Sequence, residues 1–180
     1  MLGGAWKKAF AVAAAIALVV AGSSSAGTSA STRRAVSLSA LERSVLADVN
    51  AIRRSSHLAQ LAVSPGLRAA ATQHSTEMAR LGYFAHSSSD GSAFDKRLAR
   101  YFPRGRYHYW SVGENLVFGS PDLTAAQALD LWMHSPEHRQ NLLRASWRQI
   151  GISAVHVASA PGAYAGDPTT IITADFGVRK

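Results

Sequence analysis

The absence of cysteine is the sequence feature that most restricts how this chain can fold. None of its 180 residues is a cysteine, so neither disulfides nor thiolate-bound metals can hold it together. Stability therefore has to come from a hydrophobic core, and a domain of about 140 residues buries enough apolar surface to form one. The missing thiol also excludes a cysteine nucleophile from any catalytic mechanism.

The first 26 residues have the pattern of a secretory signal peptide. Lys7 and Lys8 precede an apolar run over residues 9–21, and small residues at 24–26 offer a cleavage site. The run is shorter than the ~20 residues of a membrane-spanning helix, so we expect no transmembrane anchor after processing. An uncleaved N-terminal anchor is the alternative. We predict a signal peptide at 1–26, a flexible Ser/Thr/Ala-rich linker at 27–38 and a folded domain at 39–180.

The charge of the chain favours an anionic partner outside the cell. The formal net charge is +8, and loss of Lys7 and Lys8 with the signal peptide would leave +6. A basic protein that is secreted or held in the cell envelope suits anionic envelope lipids or wall polymers. We expect no nucleic-acid partner, because no recognition motif accompanies the arginines, which we interpret as solvated surface charges: Arg53, Arg68, Arg80, Arg97, Arg139 and Arg148.

The order of predicted elements indicates an α+β fold. Helices are expected to begin at a Ser39–Glu42 capping box, at Ser64-Pro65 and at a Thr124–Gln127 capping box. Further helical turns are expected around residues 94–101 and after Ser135-Pro136. Two strands with alternating apolar residues come late, around residues 150–156 and 171–176. Helices followed by clustered strands argue against a parallel βαβ sheet.

Three residues could carry chemistry: His86, Glu114 and His138. Each is expected at an irregular place, where a scaffold can present a side chain. A helix N-terminus should keep His138 neutral, and two imidazoles with a carboxylate can hold zinc and activate water. We therefore consider all three as metal ligands for a divalent cation, preferably zinc, and Glu114 as a catalytic base. Their spacing alone also fits hydrogen-bonded structural residues, so both interpretations stay open.

Several short motifs in a fixed order resemble the bacterial members of the CAP superfamily, the SCP-like extracellular proteins. This superfamily includes cysteine-rich secretory proteins, antigen 5 of venoms and pathogenesis-related proteins of plants. The resemblance extends over residues 39–178. It rests on the segments His74–Ala79, Phe84–Ser87, Gly113–Asn115, Trp132–Leu143, Ile150–Ile152 and Asp175–Gly177.

The resemblance implies an α-β-α sandwich with a small antiparallel sheet of three to four strands between helical layers. It also implies a central cleft in which His86 and His138 match the two family histidines and Glu114 matches the glutamate of the Gly-Glu-Asn turn. In some relatives the two histidines bind a divalent cation, often zinc. This chain departs from many eukaryotic relatives by having Ser135 in place of a second glutamate, and by lacking their disulfides.

Three functions remain open on the sequence. The first is a secreted binding module whose cleft recognises a lipid, a polysaccharide or a protein of the envelope. The second is a metal-dependent hydrolase of peptide or wall material, with Glu114 as ligand or general base. The third is a structural domain with a relict cleft. Other residues have structural interpretations: His74 as a core histidine that could support the cleft, and Asp175 as a brace for the last strand.

Overall fold

The computed structural model describes residues 29–180, so the predicted signal peptide at 1–26 lies outside the described residues. The helices are α1 (Ser29–Ser55), α2 (Pro65–Leu81), α3 (Phe94–Tyr101), α4 (Ala125–His134) and α5 (Pro136–Leu142). The strands are β1 (Ala62–Val63), β2 (Trp110–Gly119), β3 (Gln149–Val157) and β4 (Thr169–Arg179). A short 3₁₀ turn spans Gly162–Tyr164 in the β3–β4 connection. Within this part of the chain no helix is both long and apolar enough to cross a bilayer.

The strands form one sheet in the order β1-β3-β4-β2, with β2 at one edge. The β4 strand pairs antiparallel with both β3 and β2, as predicted. The sheet is nevertheless mixed, because β1 runs parallel to β3. The expectation of a purely antiparallel sheet was therefore wrong at this strand. A strand of two residues is too short to show an alternation of apolar and polar residues, so the sequence did not predict β1.

Helices cover both faces of the sheet, which confirms the predicted α-β-α sandwich. Helices α1, α4 and α5 pack on one face around Trp132, Trp147 and Phe176, each fully buried. Helices α2 and α3 pack on the other face, where Leu67 and Phe102 are buried. Successive strand residues point to opposite faces, so the alternation in β3 and β4 supplies apolar side chains to both layers.

Two predicted helix starts are confirmed and one is wrong. Ser64 accepts a hydrogen bond from Leu67 N ahead of α2, and Thr124 forms a capping box with Gln127 ahead of α4. Helix α1 begins at Ser29, so Ser39 is not its cap, and most of the predicted 27–38 linker is helical. Residues 29–38 contain no glycine or proline to stop a helix, and their alanines and arginines favour one.

Two arginines interpreted as surface charges are buried. Arg53 is fully buried at the end of α1, where its guanidinium donates to Ala59 O, Leu142 O and Arg144 O. Arg97 is 2% exposed on α3. In both cases the charge is compensated by acceptors far away in sequence. A composition argument that treats all arginines alike therefore missed them.

Candidate functional site

The middle of β2 supplies side chains to both faces of the sheet. Neighbouring residues of a strand project to opposite sides, so Glu114 faces α2 and α3 while Asn115 faces α5. The sequence left residues 110–118 as strand-like or irregular, and Glu114 lies within a regular strand. Gly113 is needed for space: an added Cβ would lie 2.6 Å from Asn141 Oδ1 and 2.9 Å from the Trp147 ring.

Glu114 is a fully buried carboxylate with both oxygens engaged by cationic or N–H donors. Its Oε1 lies 2.9 Å from His86 Nδ1, and its Oε2 accepts from the Arg97 guanidinium. Burial alone raises the pKa of Glu114, but the His86 hydrogen bond and the Arg97 charge outweigh it and leave the pKa below its usual value. Because a carboxylate only accepts, His86 carries its proton on Nδ1. Its side chain is 49% exposed, so Nε2 remains for a ligand.

The loop that carries His86 is held by two buried groups. His74 on α2 is completely buried, and its Nε2 donates to Ala85 O at 2.9 Å. Arg97 donates to His86 O at 3.3 Å and to Ser88 Oγ at 2.9 Å. Burial lowers the pKa of His74, so it stays neutral. The predicted core histidine is thus also a support for the loop that presents His86.

Asp175 lies opposite Glu114 in the sheet and shares its buried face. The side chain is completely buried, and no donor among residues 29–180 reaches either of its oxygens. Burial, followed by the Glu114 charge, raises the pKa of Asp175 well above its usual value. Burial therefore favours the protonated, neutral form of Asp175, whose proton can be donated to Glu114. Asp175 was expected to brace the last strand. It lies in the middle of the sheet instead, next to Glu114 of the candidate site.

Replacing Asp175 by asparagine is expected to stabilise the fold increasingly as the pH rises. The unfolded chain loses the Asp175 proton near the ordinary pKa of 3.8, whereas the folded protein keeps it to a higher pH. Between these two pKa values the folded state binds more protons, so wild-type stability falls with rising pH. Asparagine can donate to Glu114 without titrating. Urea unfolding of both proteins from pH 3.5 to 8 tests this: a stability difference that does not grow with pH would contradict a protonated Asp175.

His138 approaches the same region from the opposite layer. Asn115 Nδ2 donates to His138 O at 3.0 Å, and Asn141 Nδ2 donates to Asn115 Oδ1 at 2.9 Å. Trp147 Nε1 in turn donates to Asn141 O at 2.9 Å. This chain of hydrogen bonds ties the start of α5 to β2. Asn141 therefore fixes the turn after His138.

Burial lowers the pKa of His138, and the nearby charge of His86 lowers it further. The predicted neutral state is thus reached by burial, whereas the sequence argument relied on the helix N-terminus. Ser135 occupies the N-cap position of α5 but makes no side-chain capping bond. His86 and His138 come from opposite layers and lie close enough to interact at the free edge of β2. The region between His86 and His138, where the family resemblance predicts a cleft, is called the "β2-edge cleft".

The structure joins His86 directly to Glu114 and places His138 near His86. In the described part of the chain, no group of three or more His, Cys, Asp or Glu side chains is arranged to hold a metal ion. The oxygens of Glu114 already accept from His86 and Arg97, so this carboxylate suits the role of holding His86 better than that of a ligand. Of the three candidate ligands, only the imidazoles of His86 and His138 are then left to bind a cation.

Sequence reasoning missed Arg97 as a site residue and gave Asp175 too small a role. Arg97 had one usable signal: it lies three residues after Phe94 and four before Tyr101, on the apolar side of α3. A cation on an apolar face requires a buried acceptor. The alternating pattern around Asp175 predicts that its side chain faces the interior. The pattern does not show its partner, because Glu114 lies on another strand.

Sequence comparison places the chain among known relatives. The family model for the cysteine-rich secretory protein family, CAP, matches residues 46–172. The uncharacterized protein YkwD of Bacillus subtilis (strain 168) is 32% identical over 133 residues, which cover 73% of this chain and 49% of YkwD. The chain thus spans about half the length of this curated relative.

Structural comparison gives the same assignment. An extracellular SCP-domain protein from Bacillus anthracis str. Ames matches with a TM-score of 0.62 and 25% identity, covering 87% of this chain and 45% of that chain. An outer surface protein from Borrelia burgdorferi has a TM-score of 0.58 at 17% identity, covering 76% and 90% of the two chains, which shows the shared fold alone. Because the family model matches more than half of the sequence, the chain belongs to the cysteine-rich secretory protein (CAP) family.

Proposed function

We propose that this CAP-family protein is an extracellular binding module that takes its ligand in the β2-edge cleft between His86 and His138. The signal-peptide pattern at 1–26 supports export. Two structural relatives are described as an extracellular protein and an outer surface protein, which supports the same location. The ligand class we propose is an anionic component of the envelope, in keeping with the basic chain.

The observation that carries the proposal is the complete engagement of Glu114. Both of its oxygens accept from protein donors, and the side chain is shielded from solvent. A general base needs a free oxygen within reach of the proton that it removes. Glu114 is better suited to fix the ring of His86 and leave its Nε2 facing the cleft. This arrangement favours recognition over hydrolysis.

A divalent cation fits the cleft as a bridge to an anionic ligand. Imidazole nitrogens are ligands that zinc prefers, and the structure offers Nε2 of His86 and the ring of His138. His86 and His138 would hold the ion, and Glu114 would orient His86 through Nδ1. Such an ion would supply positive charge to the cleft. Its remaining positions would be filled by the ligand or by water.

Zinc is expected to bind the purified exported protein with a stoichiometry of one, and His86→Ala and His138→Ala are each expected to weaken binding at least tenfold. Each replacement removes one of two imidazole ligands, and metal sites typically lose affinity by such factors when even a supporting residue is lost. Isothermal titration calorimetry measures both. His108→Ala serves as the control, since this histidine is exposed and outside the cleft. Equal zinc binding by all four proteins would contradict the cation site.

Ligand binding and hydrolysis are separated by one further experiment. Envelope fractions are mixed with wild type and with a His86→Ala/His138→Ala variant, and both the retained protein and the released fragments are measured. Retention that requires the histidines, with no fragments released, supports a binding module. Fragments released by wild type but not by Glu114→Gln would instead assign a hydrolase with Glu114 in the reaction. Retention that does not change in the double variant would contradict the proposed cleft.

A further inference from the structure

A second surface of the molecule combines unpaired cations with exposed tyrosines. It consists of the turn before β2 and the end of β4, and is called the basic-aromatic patch. Residues 96–113 contain no Asp or Glu. The side chains that form the patch are Arg104, Arg106, Tyr107, Tyr109, Arg179 and Lys180.

Contacts between the two segments make the patch one surface. Arg104 donates to Tyr107 O at 2.9 Å and to His108 O at 2.7 Å. The Arg179 guanidinium lies 5.3 Å from the centre of the Tyr107 ring and also donates to Pro103 O at 3.0 Å. Tyr109 and residue 180 exchange two backbone hydrogen bonds. The patch is therefore held by guanidinium–carbonyl, backbone and ring contacts, and none of these neutralises its positive charges.

In the described part of the chain, no Asp or Glu side chain pairs with the cations of the patch. Among residues 29–180 the ion pairs within 4.0 Å involve other cations, so Arg104, Arg106 and Arg179 are not neutralised. Tyr107 is 47% exposed and Tyr109 is 42% exposed. Clustered like charges repel one another, and exposed aromatic rings cost free energy in water. A surface that keeps both is suited to a partner that is anionic and offers an apolar layer.

We propose that the basic-aromatic patch docks the protein on the surface of an anionic phospholipid bilayer. Arginines attract the phosphate groups, while tyrosine rings prefer the boundary between head groups and acyl chains, with the ring in the apolar side and the hydroxyl in the wet side. A soluble anionic polymer would be recognised by the cations alone and would leave the exposed parts of the tyrosine rings in water. The two exposed rings are the reason for preferring a bilayer.

The patch is separate from the β2-edge cleft. Tyr109 and Glu114 are five residues apart along an extended segment, which corresponds to about 17 Å. The inference deepens the proposed function, because it rests on the protein being an extracellular module and names one partner of it. It uses none of the cleft residues. Loss of cleft binding and loss of bilayer docking can therefore be observed independently.

Vesicle co-sedimentation of the exported protein tests the proposal. The probes are vesicles of phosphatidylcholine alone and of phosphatidylcholine with 30% phosphatidylglycerol, at about 20 mM and 500 mM salt. Arg106→Gln is expected to weaken binding to the anionic vesicles about fivefold, and Arg104→Gln/Arg106→Gln about 25-fold. Tyr107→Ser/Tyr109→Ser is expected to weaken it about tenfold, with most of the loss remaining at high salt because the ring contribution is not screened.

The matched control is Arg80→Gln/Arg139→Gln, which removes the same charge from exposed positions outside the patch. Binding within twofold of wild type is expected for this control. Arg106 makes no side-chain hydrogen bond within the described chain, so its single variant tests the patch even if Arg104→Gln disturbs the turn. Equal losses in the patch and control variants would overturn the proposal. Unchanged vesicle binding by the tyrosine variant, with tight binding of soluble polyphosphate by wild type, would assign a polymer instead and overturn it too.

Discussion

Replacing Glu114 by glutamine together with Asp175 by asparagine is expected to lower the free energy of unfolding by about 3–5 kcal/mol at neutral pH. The reason is Arg97, which is 2% exposed and would then be a buried cation with no anion beside it. In wild type the Glu114 carboxylate supplies that anion. Removing one partner of a buried pair costs more than the pair contributes, because the remaining charge is left in a poorly polarisable environment.

The single variants should behave very differently from the double variant. Asp175→Asn keeps Glu114 and is expected to be neutral or stabilising at pH 7. Glu114→Gln is expected to cost only about 1–3 kcal/mol, the range for a charge-assisted hydrogen bond. With Glu114 neutral, the repulsion that keeps Asp175 protonated disappears, and the charge of Arg97 favours its ionisation. Asp175 can therefore take over as the anion, and the two changes together should cost more than their sum.

Urea unfolding of the four proteins completes this double-mutant cycle. Glu42→Gln is the matched control, since Glu42 pairs with Arg68 at 2.8 Å but that arginine side chain is 55% exposed. The control is expected to change the free energy of unfolding by no more than about 1 kcal/mol. Additive effects at positions 114 and 175 would contradict the transfer of charge to Asp175. A double variant as stable as wild type would show that Arg97 needs no anion.

Replacing Gly151 by alanine is expected to cost about 3 kcal/mol or more, or to prevent folding. A Cβ at this position would lie 2.1 Å from both Arg68 N and Leu67 C in the first turn of α2. These are backbone atoms of a helix that packs directly on β3, so they cannot move aside as a flexible side chain would. The helix would have to be displaced from the sheet, which removes apolar contacts from a packed layer. Thermal and urea unfolding measure the loss.

Gly91→Ala is the control for this substitution. Gly91 has a φ of +78°, and no heavy atom lies within 4 Å of the position that its Cβ would take. Only backbone strain is introduced, so a loss of about 1–2 kcal/mol is expected. If Gly151→Ala proved no more harmful than Gly91→Ala, the close approach of α2 to β3 would not be the constraint described here.

Local signals in the sequence predicted much of the fold. The alternation over residues 150–156 and 171–176 corresponds to β3 and β4, and the caps at Ser64 and Thr124 mark the starts of α2 and α4. These features depend on neighbouring residues, which a single sequence contains. The start of α1 and the strand β1 were not predicted. A serine pattern that resembles a cap can lie inside a helix, and a two-residue strand is defined only by its partner.

The sequence identified three residues of the candidate site but not the contacts between its side chains. The family motifs named His86, Glu114 and His138. They gave no indication that Arg97 donates a hydrogen bond to Oε2 of Glu114. Nor did they indicate that Asp175 on β4 lies opposite Glu114. Those relations depend on the packing of α3 on the sheet and on the register of two strands. The sequence suggested Glu114 as a metal ligand or a catalytic base. In the fold both of its oxygens already accept hydrogen bonds, from His86 and Arg97, so we assign it the role of orienting His86.

Glu114 holds His86 in one tautomer, with the proton on Nδ1 and Nε2 open to the cleft. Ring-nitrogen NMR of ¹⁵N-labelled exported protein at pH 7.5 measures this directly, because protonated and unprotonated imidazole nitrogens have separate shifts. We predict a protonated Nδ1 and a bare Nε2 for His86 in wild type, and a mixture of tautomers in Glu114→Gln. A His86 ring with the proton on Nε2, or a tautomer ratio that Glu114→Gln leaves unchanged, would contradict the account.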